Sequence, residues 1–303
     1  MKKVFVFLFL FTVLSIFLWQ GIYLPRDSSL TESKLFSVEK GQNLFQIGEN
    51  LEKEGLIKNK FFFDFYIFLK GAQRKLQAGE YELSPSMDIA EIAKKIISGD
   101  VAKMVVTIPE GFTVKQIEER LNLKLPGENL EGFLFPDTYQ FPIGVSGEEV
   151  VSKMRDNFDK KLTADLREEI KNQKKTIFEI ITIASLIEKE VKTKEDKEVV
   201  SGILWKRLKN NIPLQVDATI TYLTGKKTTK IPLEDLQIDS LYNTYKYKGL
   251  PLGPICNPGL DSIKTAIYPK NSEYWYYLST PEGETIFSKT LEEHNIAKAK
   301  YLK

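Results

Sequence analysis

The sequence is poor in the residues that build disulfide frameworks and histidine-based metal sites. Its 303 residues include one cysteine, Cys256, and one histidine, His294. A single cysteine cannot form a disulfide within the chain, and a single histidine cannot supply the several imidazoles of a typical zinc enzyme. We therefore expect no disulfide scaffold, no metal site and no other cofactor.

The chain also lacks a strong excess of charge of either sign. Lys and Arg number 43 against 41 Asp and Glu, a formal net charge of +2. A protein that binds a phosphate backbone is usually much more basic, so nucleic acid is not expected as a partner. Charged residues make up 28% and hydrophobic residues 42%, which is typical of a folded protein, and the length suggests about two domains.

Long hydrophobic runs are absent except for one, the uncharged stretch Val4–Leu24 behind Lys2 and Lys3. As a helix, its 21 residues reach ~30 Å, the thickness of the bilayer hydrocarbon core. A cleaved signal peptide is the alternative, but the exit at 20–25 has no small-x-small site. We predict a transmembrane anchor at 1–25 and a linker at 26–35. The two lysines favour a cytoplasmic N-terminus, with the rest of the chain outside a bacterial inner membrane.

Three segments of the sequence align without gaps as strand, turn and helix start. Each has a capping residue followed three positions later by an acceptor, which is the capping-box pattern; the pairs are Asn43 and Gln46, Asp88 and Glu91, Thr113 and Gln116. The pattern predicts three βα units and an α+β fold. The first two units form a small module at 36–105 that is LysM-like, and glycan binding and a spacer role stay open for it. Phe61–Phe63 and Phe65 are predicted to be core residues.

The segment Thr176–Val191 is predicted to be a helix with one glutamate on its apolar face. With Ile177 at 0°, Glu188 falls at ~20°, among apolar residues, whereas Glu179 and Glu190 fall at ~200° and ~220°, where a solvated helix would keep its charges. Whether Glu190 supports Glu188 or faces water stays open. A buried carboxyl is suited to act as a general acid in glycosidic cleavage. The alternative is a buried structural glutamate paired with a Lys or Arg such as Arg207.

Two further segments carry polar and aromatic side chains suited to a sugar-binding cleft. In Leu214–Tyr222 the polar residues alternate, which indicates either a strand or a helix capped by Asp217. Tyr242–Tyr245 and Gly249–Gly259 form a loop rich in proline and glycine, of the kind that often carries function.

Several motifs in order resemble the MltG (YceG-like) family of membrane-anchored endolytic murein transglycosylases. They are Glu131–Tyr139, Ala184–Glu190, Leu214–Asp217, Tyr242–Tyr245 and Gly249–Gly259. The resemblance implies a catalytic domain at 106–303, with Glu188 as the catalytic residue. The candidate substrate-binding residues are Gln215, Asp217, Thr219, Asn243, Tyr245 and Asn257.

The reaction that this resemblance implies is non-hydrolytic cleavage of the β-1,4 bond between N-acetylmuramic acid and N-acetylglucosamine within glycan strands, during cell-wall synthesis. Expected partners are peptidoglycan glycan strands, the membrane, and peptidoglycan synthases or divisome proteins. One alternative is a lysozyme-like hydrolase, in which Asp217 or Asp137 supplies a second carboxylate. Another is a non-catalytic peptidoglycan-binding scaffold. A Cys256/His294 peptidase is disfavoured because nothing in the loop lowers the thiol pKa.

Overall fold

A computed structural model of the protein describes residues 2–226 and 231–302. The chain divides into two compact units, Met1–Val105 with Gln140–Val145, and Val106–Tyr139 with Ser146–Lys303. Helices and small two-stranded sheets build both units, so the predicted α+β class is confirmed.

The first unit begins with helix α1, Lys2–Tyr23, which is long and apolar enough to cross a membrane. Nearly all of its side chains are exposed, as a membrane-spanning helix requires, but Ile22 is buried. The segment 26–35, predicted as a linker, contacts the rest of the first unit. The Asp27 N–H donates to the Pro85 carbonyl at 3.0 Å, and strand β1 begins at Lys34.

The remainder of this unit has the order strand, helix, helix, strand, helix. Its elements are β1 (Lys34–Val38), α2 (Leu44–Lys53), α3 (Lys60–Leu69), β2 (Gly79–Leu83) and α4 (Ile89–Ser98). β1 and β2 pair antiparallel, with Lys34 opposite Leu83. Alternate strand residues such as Phe36 and Tyr81 point into the core, because successive side chains lie on opposite faces of a strand. The LysM-like assignment stays a prediction.

Capping boxes start the helices where the sequence pattern predicts them. The side chains of Asn43, Asp88 and Thr113 accept from the N–H three residues on, and the side chain there returns the bond. The predicted βα units are thus confirmed. The phenylalanine-rich helix α3 differs from the prediction in part: Phe63 is fully buried, but Phe61 is 54% exposed.

The second unit packs mostly helices around one buried helix. Its helices are α5 (Val114–Leu121), α6 (Gly147–Lys161), α7 (Ala164–Asn172), α8 (Ile177–Glu190), α9 (Lys194–Lys209), α10 (Asp217–Thr224), α11 (Leu260–Ile267) and α12 (Leu291–Tyr301). Every residue of α8 from Ile180 to Ile187 is buried, and all of them are apolar except Thr182 and Ser185. It packs against α9 and α11, which therefore deliver their side chains to its last turn.

The described residues also include two further strand pairs. β3 (Lys103–Thr107) pairs with β4 (Thr138–Pro142), and the division between the units runs through both strands. β5 (Tyr276–Ser279) pairs antiparallel with β6 (Thr285–Ser288).

For Leu214–Tyr222 the predicted helix is confirmed, whereas the strand and the predicted cap at Asp217 are wrong. Gln215 has a φ of +55°, which breaks an extended chain. α10 then begins at Asp217, after Val216 in the capping position. The Thr219 hydroxyl donates to the Val216 carbonyl at 2.7 Å, a local bond that competes with strand pairing.

Candidate functional site

Glu188 lies in the last turn of α8, and its side chain is only 9% exposed. The burial that periodicity predicts is confirmed. Its Oε1 is 3.3 Å from Nζ of Lys197, which is 7% exposed. The pairing with a Lys or Arg that the structural alternative predicts is therefore present, with Lys197 as the partner. Arg207, the example named from the sequence, donates instead to Oε1 of Gln215 at 2.5 Å. Glu188 is thus a buried carboxylate with a buried cation beside it.

The second oxygen of Glu188 is held by the start of α11. Oε2 accepts from the Gly259 N–H at 3.0 Å and from the Ser262 hydroxyl at 2.6 Å. Gly259 is the capping residue of α11, and the unpaired N–H groups of a helix start favour a negative charge. The carboxylate is therefore fixed by donors from two helices, α9 and α11.

A second carboxyl, that of Glu110, lies next to Glu188. A Cβ added to Gly259 would be 2.0 Å from Cδ of Glu110, so the carboxyl packs directly on the glycine backbone. Burial raises the pKa of Glu110, the charge of Glu188 raises it further, and Lys197 opposes both effects. A Cβ on Gly111 would be 3.5 Å from Cγ of Glu188, which places the whole turn beside this site.

Asn257 holds that turn in place. Its backbone exchanges two hydrogen bonds of 2.9 Å with the backbone of Gly111 and Phe112. Its buried amide donates to Phe112 O at 3.0 Å and Glu131 Oε1 at 3.2 Å, and accepts from the Leu134 N–H at 2.9 Å. The structure therefore places Asn257 as a support of the site, with its polar atoms engaged within the protein.

Glu131 connects the same support to the start of α5. Both of its carboxylate oxygens lie 3.2 Å from the Val114 N–H. Burial raises its pKa to about 7, and the bond from Val114 works against that rise. The Glu131–Tyr139 motif thus contributes a buried carboxyl to the surroundings of the catalytic candidate.

Gln215, Asp217 and Tyr245 come together at the start of α10. The Tyr245 hydroxyl donates to Oδ1 of Asp217. The Gln215 N–H donates to the Thr244 carbonyl at 3.0 Å. Gln215 and Asp217 are exposed, so their side chains are open to a ligand.

Thr219 and Asn243 are fully buried, and their polar atoms are engaged within the protein. The Thr219 hydroxyl lies 3.1 Å from that of Thr244. The Asn243 amide donates to the carbonyls of Leu236 and Ile238, each at 2.9 Å, and its oxygen accepts from the Tyr245 N–H. These two residues shape the loop that presents Tyr245.

Glu190 belongs to the Asp217 side of α8. Its Oε1 accepts from the Ala218 N–H at 3.4 Å, and the Tyr277 hydroxyl also bonds to it. Burial raises the pKa of Glu190 to about 7, and the charge of Asp217 acts in the same direction. Of the two alternatives for Glu190, exposure to water is wrong, because α10 and β5 contact its carboxyl.

The sequence reasoning missed Glu110, Lys197 and Ser262. Comparison of the three aligned βα segments offers one signal, since Lys40 and Pro85 stand where the third segment has Glu110. The other second carboxylate named from the sequence, Asp137, lies 3.4 Å from Lys161 Nζ and accepts from Asn157 at 3.1 Å. Burial raises the pKa of the Cys256 thiol, which argues against a thiolate nucleophile.

The chain belongs to the YceG-like family, because the model of that family matches residues 36–300. The endolytic murein transglycosylase of Bacillus subtilis (strain 168) is 33% identical over 91% of this chain and 86% of its own length. The endolytic murein transglycosylase of Streptococcus pneumoniae serotype 2 is 31% identical, and the match covers 90% of this chain but 59% of that protein.

A solved structure has the same fold. The crystal structure of a yceG-like protein from Listeria monocytogenes superimposes with a TM-score of 0.61 at 34% identity. The match covers 88% of this chain and 99% of the Listeria chain.

Proposed function

We propose that this protein is an endolytic murein transglycosylase in which Glu188 is the acid and base. The observation that carries the proposal is the position of Glu188: a carboxyl buried at the end of α8 and held by donors from α9 and α11. Membership of the YceG-like family and the names of the relatives supply the reaction class.

In the proposed reaction Glu188 acts twice, first as a general acid and then as a general base. Its protonated form donates the proton to the O4 of the leaving N-acetylglucosamine as the bond from C1 of N-acetylmuramic acid breaks. The resulting carboxylate then takes the proton of the muramoyl C6 hydroxyl, whose oxygen attacks C1 and closes a 1,6-anhydro ring. The proton returns to the enzyme, no water is consumed, and one carboxyl suffices.

The groups around Glu188 have distinct parts in this scheme. Lys197 stabilises the carboxylate that forms after proton donation, and the Gly259 N–H and the Ser262 hydroxyl fix its Oε2. Gln215 and Asp217 are the proposed exposed contacts to the glycan, with Tyr245 orienting Asp217. Thr219, Asn243 and Asn257 act on the substrate through the loops that they hold.

Hydrolysis is the second candidate, and Glu110 is the observation that favours it. A glycosidase needs two carboxyls at the scissile bond. The carboxyl beside Glu188 is that of Glu110, rather than Asp137 or Asp217, which were named from the sequence.

We also propose that α1 anchors the protein in the inner membrane with its N-terminus in the cytoplasm. The catalytic unit would then face the periplasmic or extracytoplasmic side, where glycan strands are made. Peptidoglycan synthases and divisome proteins are the partners proposed for that location, with cleavage of strands during synthesis.

Mass spectrometry of peptidoglycan digested by the detergent-solubilised full chain tests the reaction. Internal fragments with 1,6-anhydromuramic acid ends are expected from the native protein and not from Glu188→Gln. Glu195→Gln, which alters an exposed glutamate in the first turn of α9, is the matched control and should retain activity. Reducing ends that carry an added water would instead assign hydrolysis, and Glu110→Gln would then abolish it. Glycan binding without new chain ends would instead support the non-catalytic scaffold.

A further inference from the structure

Helix α3 carries an apolar surface that the core of its unit does not use. Phe63 and Ile67 are fully buried in the core. On the outer side, Phe61, Phe68 and Leu69 are 54%, 71% and 67% exposed. Three large exposed apolar side chains on a ten-residue helix are unusual for a surface that faces water.

The same helix packs against the end of α1. The ring centroids of Phe17 and Phe62 are 5.2 Å apart, and the rings of Tyr23 and Tyr66 meet edge to face at 6.5 Å. A Cβ on Gly21 would be 2.2 Å from the Phe62 ring, so the helices approach closely there. α3 is thus a direct neighbour of the proposed membrane span.

The level of this contact along α1 places α3 at the depth of the bilayer. α1 has 22 residues and is therefore about 33 Å long, barely more than the ~30 Å hydrocarbon core. Nearly the whole helix is needed to span the membrane. Phe17 precedes Tyr23 by six residues, or ~9 Å along the axis. The Phe62 ring beside it therefore lies below the level at which α1 leaves the hydrocarbon.

Basic residues flank the apolar surface at both ends of α3. Between residues 58 and 75 the only acidic residue is Asp64, and the basic residues are Lys58, Lys60, Lys70, Arg74 and Lys75. Lysine and arginine at the ends of an apolar helix suit the headgroup layer, where their long side chains reach phosphate groups.

We propose that α3 is a second membrane-contact element that seats the first unit in the leaflet through which α1 exits. Phe61, Phe68 and Leu69 insert at the boundary of acyl chains and headgroups, and the flanking cations contact anionic headgroups. The occupant of this surface is lipid. The proposal rests on the membrane span proposed for α1, and its test separates the two.

Depth-dependent fluorescence quenching of the full chain in nanodiscs of mixed anionic and zwitterionic lipid tests the proposal. A fluorophore is placed on Phe68→Cys, with Phe9→Cys in α1 as the reference within the membrane. Lys40→Cys is the control in water. The chain arrives from α1 at Lys34, the first residue of β1, and Lys40 follows the opposite end of that strand. Cys256 is fully buried, so label uptake by the unaltered chain serves as the blank.

Nitroxides on the upper part of the acyl chains should quench the label at position 68 several-fold more than the label at 40. Quenching at 9 with none at 68 would overturn the docking of α3 and leave the span of α1 standing. Absence of quenching at 9 would overturn the span and the docking together.

A second measurement avoids placing the label at one of the apolar positions themselves. It uses the triple substitution Phe61→Ser/Phe68→Ser/Leu69→Ser. With the fluorophore on Lys70→Cys, the triple variant should lose most of the acyl-chain quenching. The matched control is Leu35→Ser/Phe45→Ser, which removes two exposed apolar residues of the same unit and should leave quenching unchanged. Equal quenching in both variants would contradict the proposal, and all altered side chains are exposed, so the fold should survive.

Discussion

The Glu188 carboxylate and the Lys197 ammonium form an ion pair of 3.3 Å that is buried at both ends, with side-chain exposures of 9% and 7%. Removing one member of a buried pair typically costs about 3–5 kcal/mol, because an uncompensated charge stays in the interior. Replacing both members costs far less. The pair therefore couples the stability of the second unit to the residue proposed for catalysis.

Lys197→Met should lower the free energy of unfolding by about 3–5 kcal/mol. Much of this loss should be recovered in Glu188→Gln/Lys197→Met, which removes both charges of the pair. Urea unfolding of the detergent-solubilised chain measures both, with Lys194→Met, at an exposed position of the same helix, as the control. Additive losses in the double variant would show that the two side chains are not coupled.

Gly259→Ala should impair activity through Glu110. The new methyl group would stand 2.0 Å from Cδ of Glu110, so the carboxyl has to move. We expect kcat/KM to fall at least about ten-fold, or ~1.4 kcal/mol of transition-state stabilisation. Glu110→Ala/Gly259→Ala removes the clash and should match Glu110→Ala alone in a glycan-cleavage assay. If the double variant is worse than Glu110→Ala, the methyl group acts on something other than Glu110.

Glu131→Gln should flatten the dependence of stability on pH. Burial raises the folded-state pKa of Glu131 to about 7, from its usual value of 4.5. Between these values the folded state binds the proton and the unfolded state does not, so native stability falls as pH rises and the loss is complete above pH ~7. At about 1.4 kcal/mol per pKa unit, the effect on the free energy of unfolding is at most about 3.5 kcal/mol.

Urea unfolding at pH 5 and pH 8 measures this effect. The native chain should lose more stability between the two pH values than Glu131→Gln. Glu128→Gln, at an exposed position nearby, should behave like the native chain. An unchanged pH dependence in Glu131→Gln would show that Glu131 is already ionised at pH 5.

The predicted substrate-binding residues should separate into two groups when they are substituted. Asp217→Ala, at an exposed position, should raise KM for glycan several-fold with little change in stability. Asn243→Ala strips the donor from two backbone carbonyls and should cost about 1–3 kcal/mol of stability. Steady-state kinetics and urea unfolding of both variants check this, and a stable Asn243→Ala with raised KM would return Asn243 to direct glycan contact.

Local signals made much of the fold predictable. The capping boxes at Asn43, Asp88 and Thr113 depend on side chains three residues apart, so the sequence alone locates those helix starts. The burial of Glu188 follows from the period of one helix. Glu190 shows the limit of this reasoning, because periodicity does not reveal that α10 and β5 cover the opposite side of α8.

The partners of Glu188 were not predictable in the same way. Lys197 lies on a helix of which half the residues are charged, and the sequence does not show which carboxyl it faces. Ser262 and Glu110 reach the site only through the packing of α11 and of the turn before α5. The resemblance to the family located the catalytic candidate, but tertiary packing supplies the groups that hold its carboxyl in place.

Ile22 belongs to the last turn of α1, but its side chain is buried in the core of the first unit. This contact limits how the unit can move relative to α1. If residues 26–35 were a free flexible linker, the root-mean-square distance between its ends would be roughly 17 Å, and the unit could move by that much relative to the anchor. With Ile22 locked into the core, the unit instead tilts and rises with α1. Helices respond to bilayer thickness by tilting, so a thicker or thinner membrane would change the height of this unit. With α1 in the membrane as proposed, lipid composition would set the height of the first unit above the bilayer.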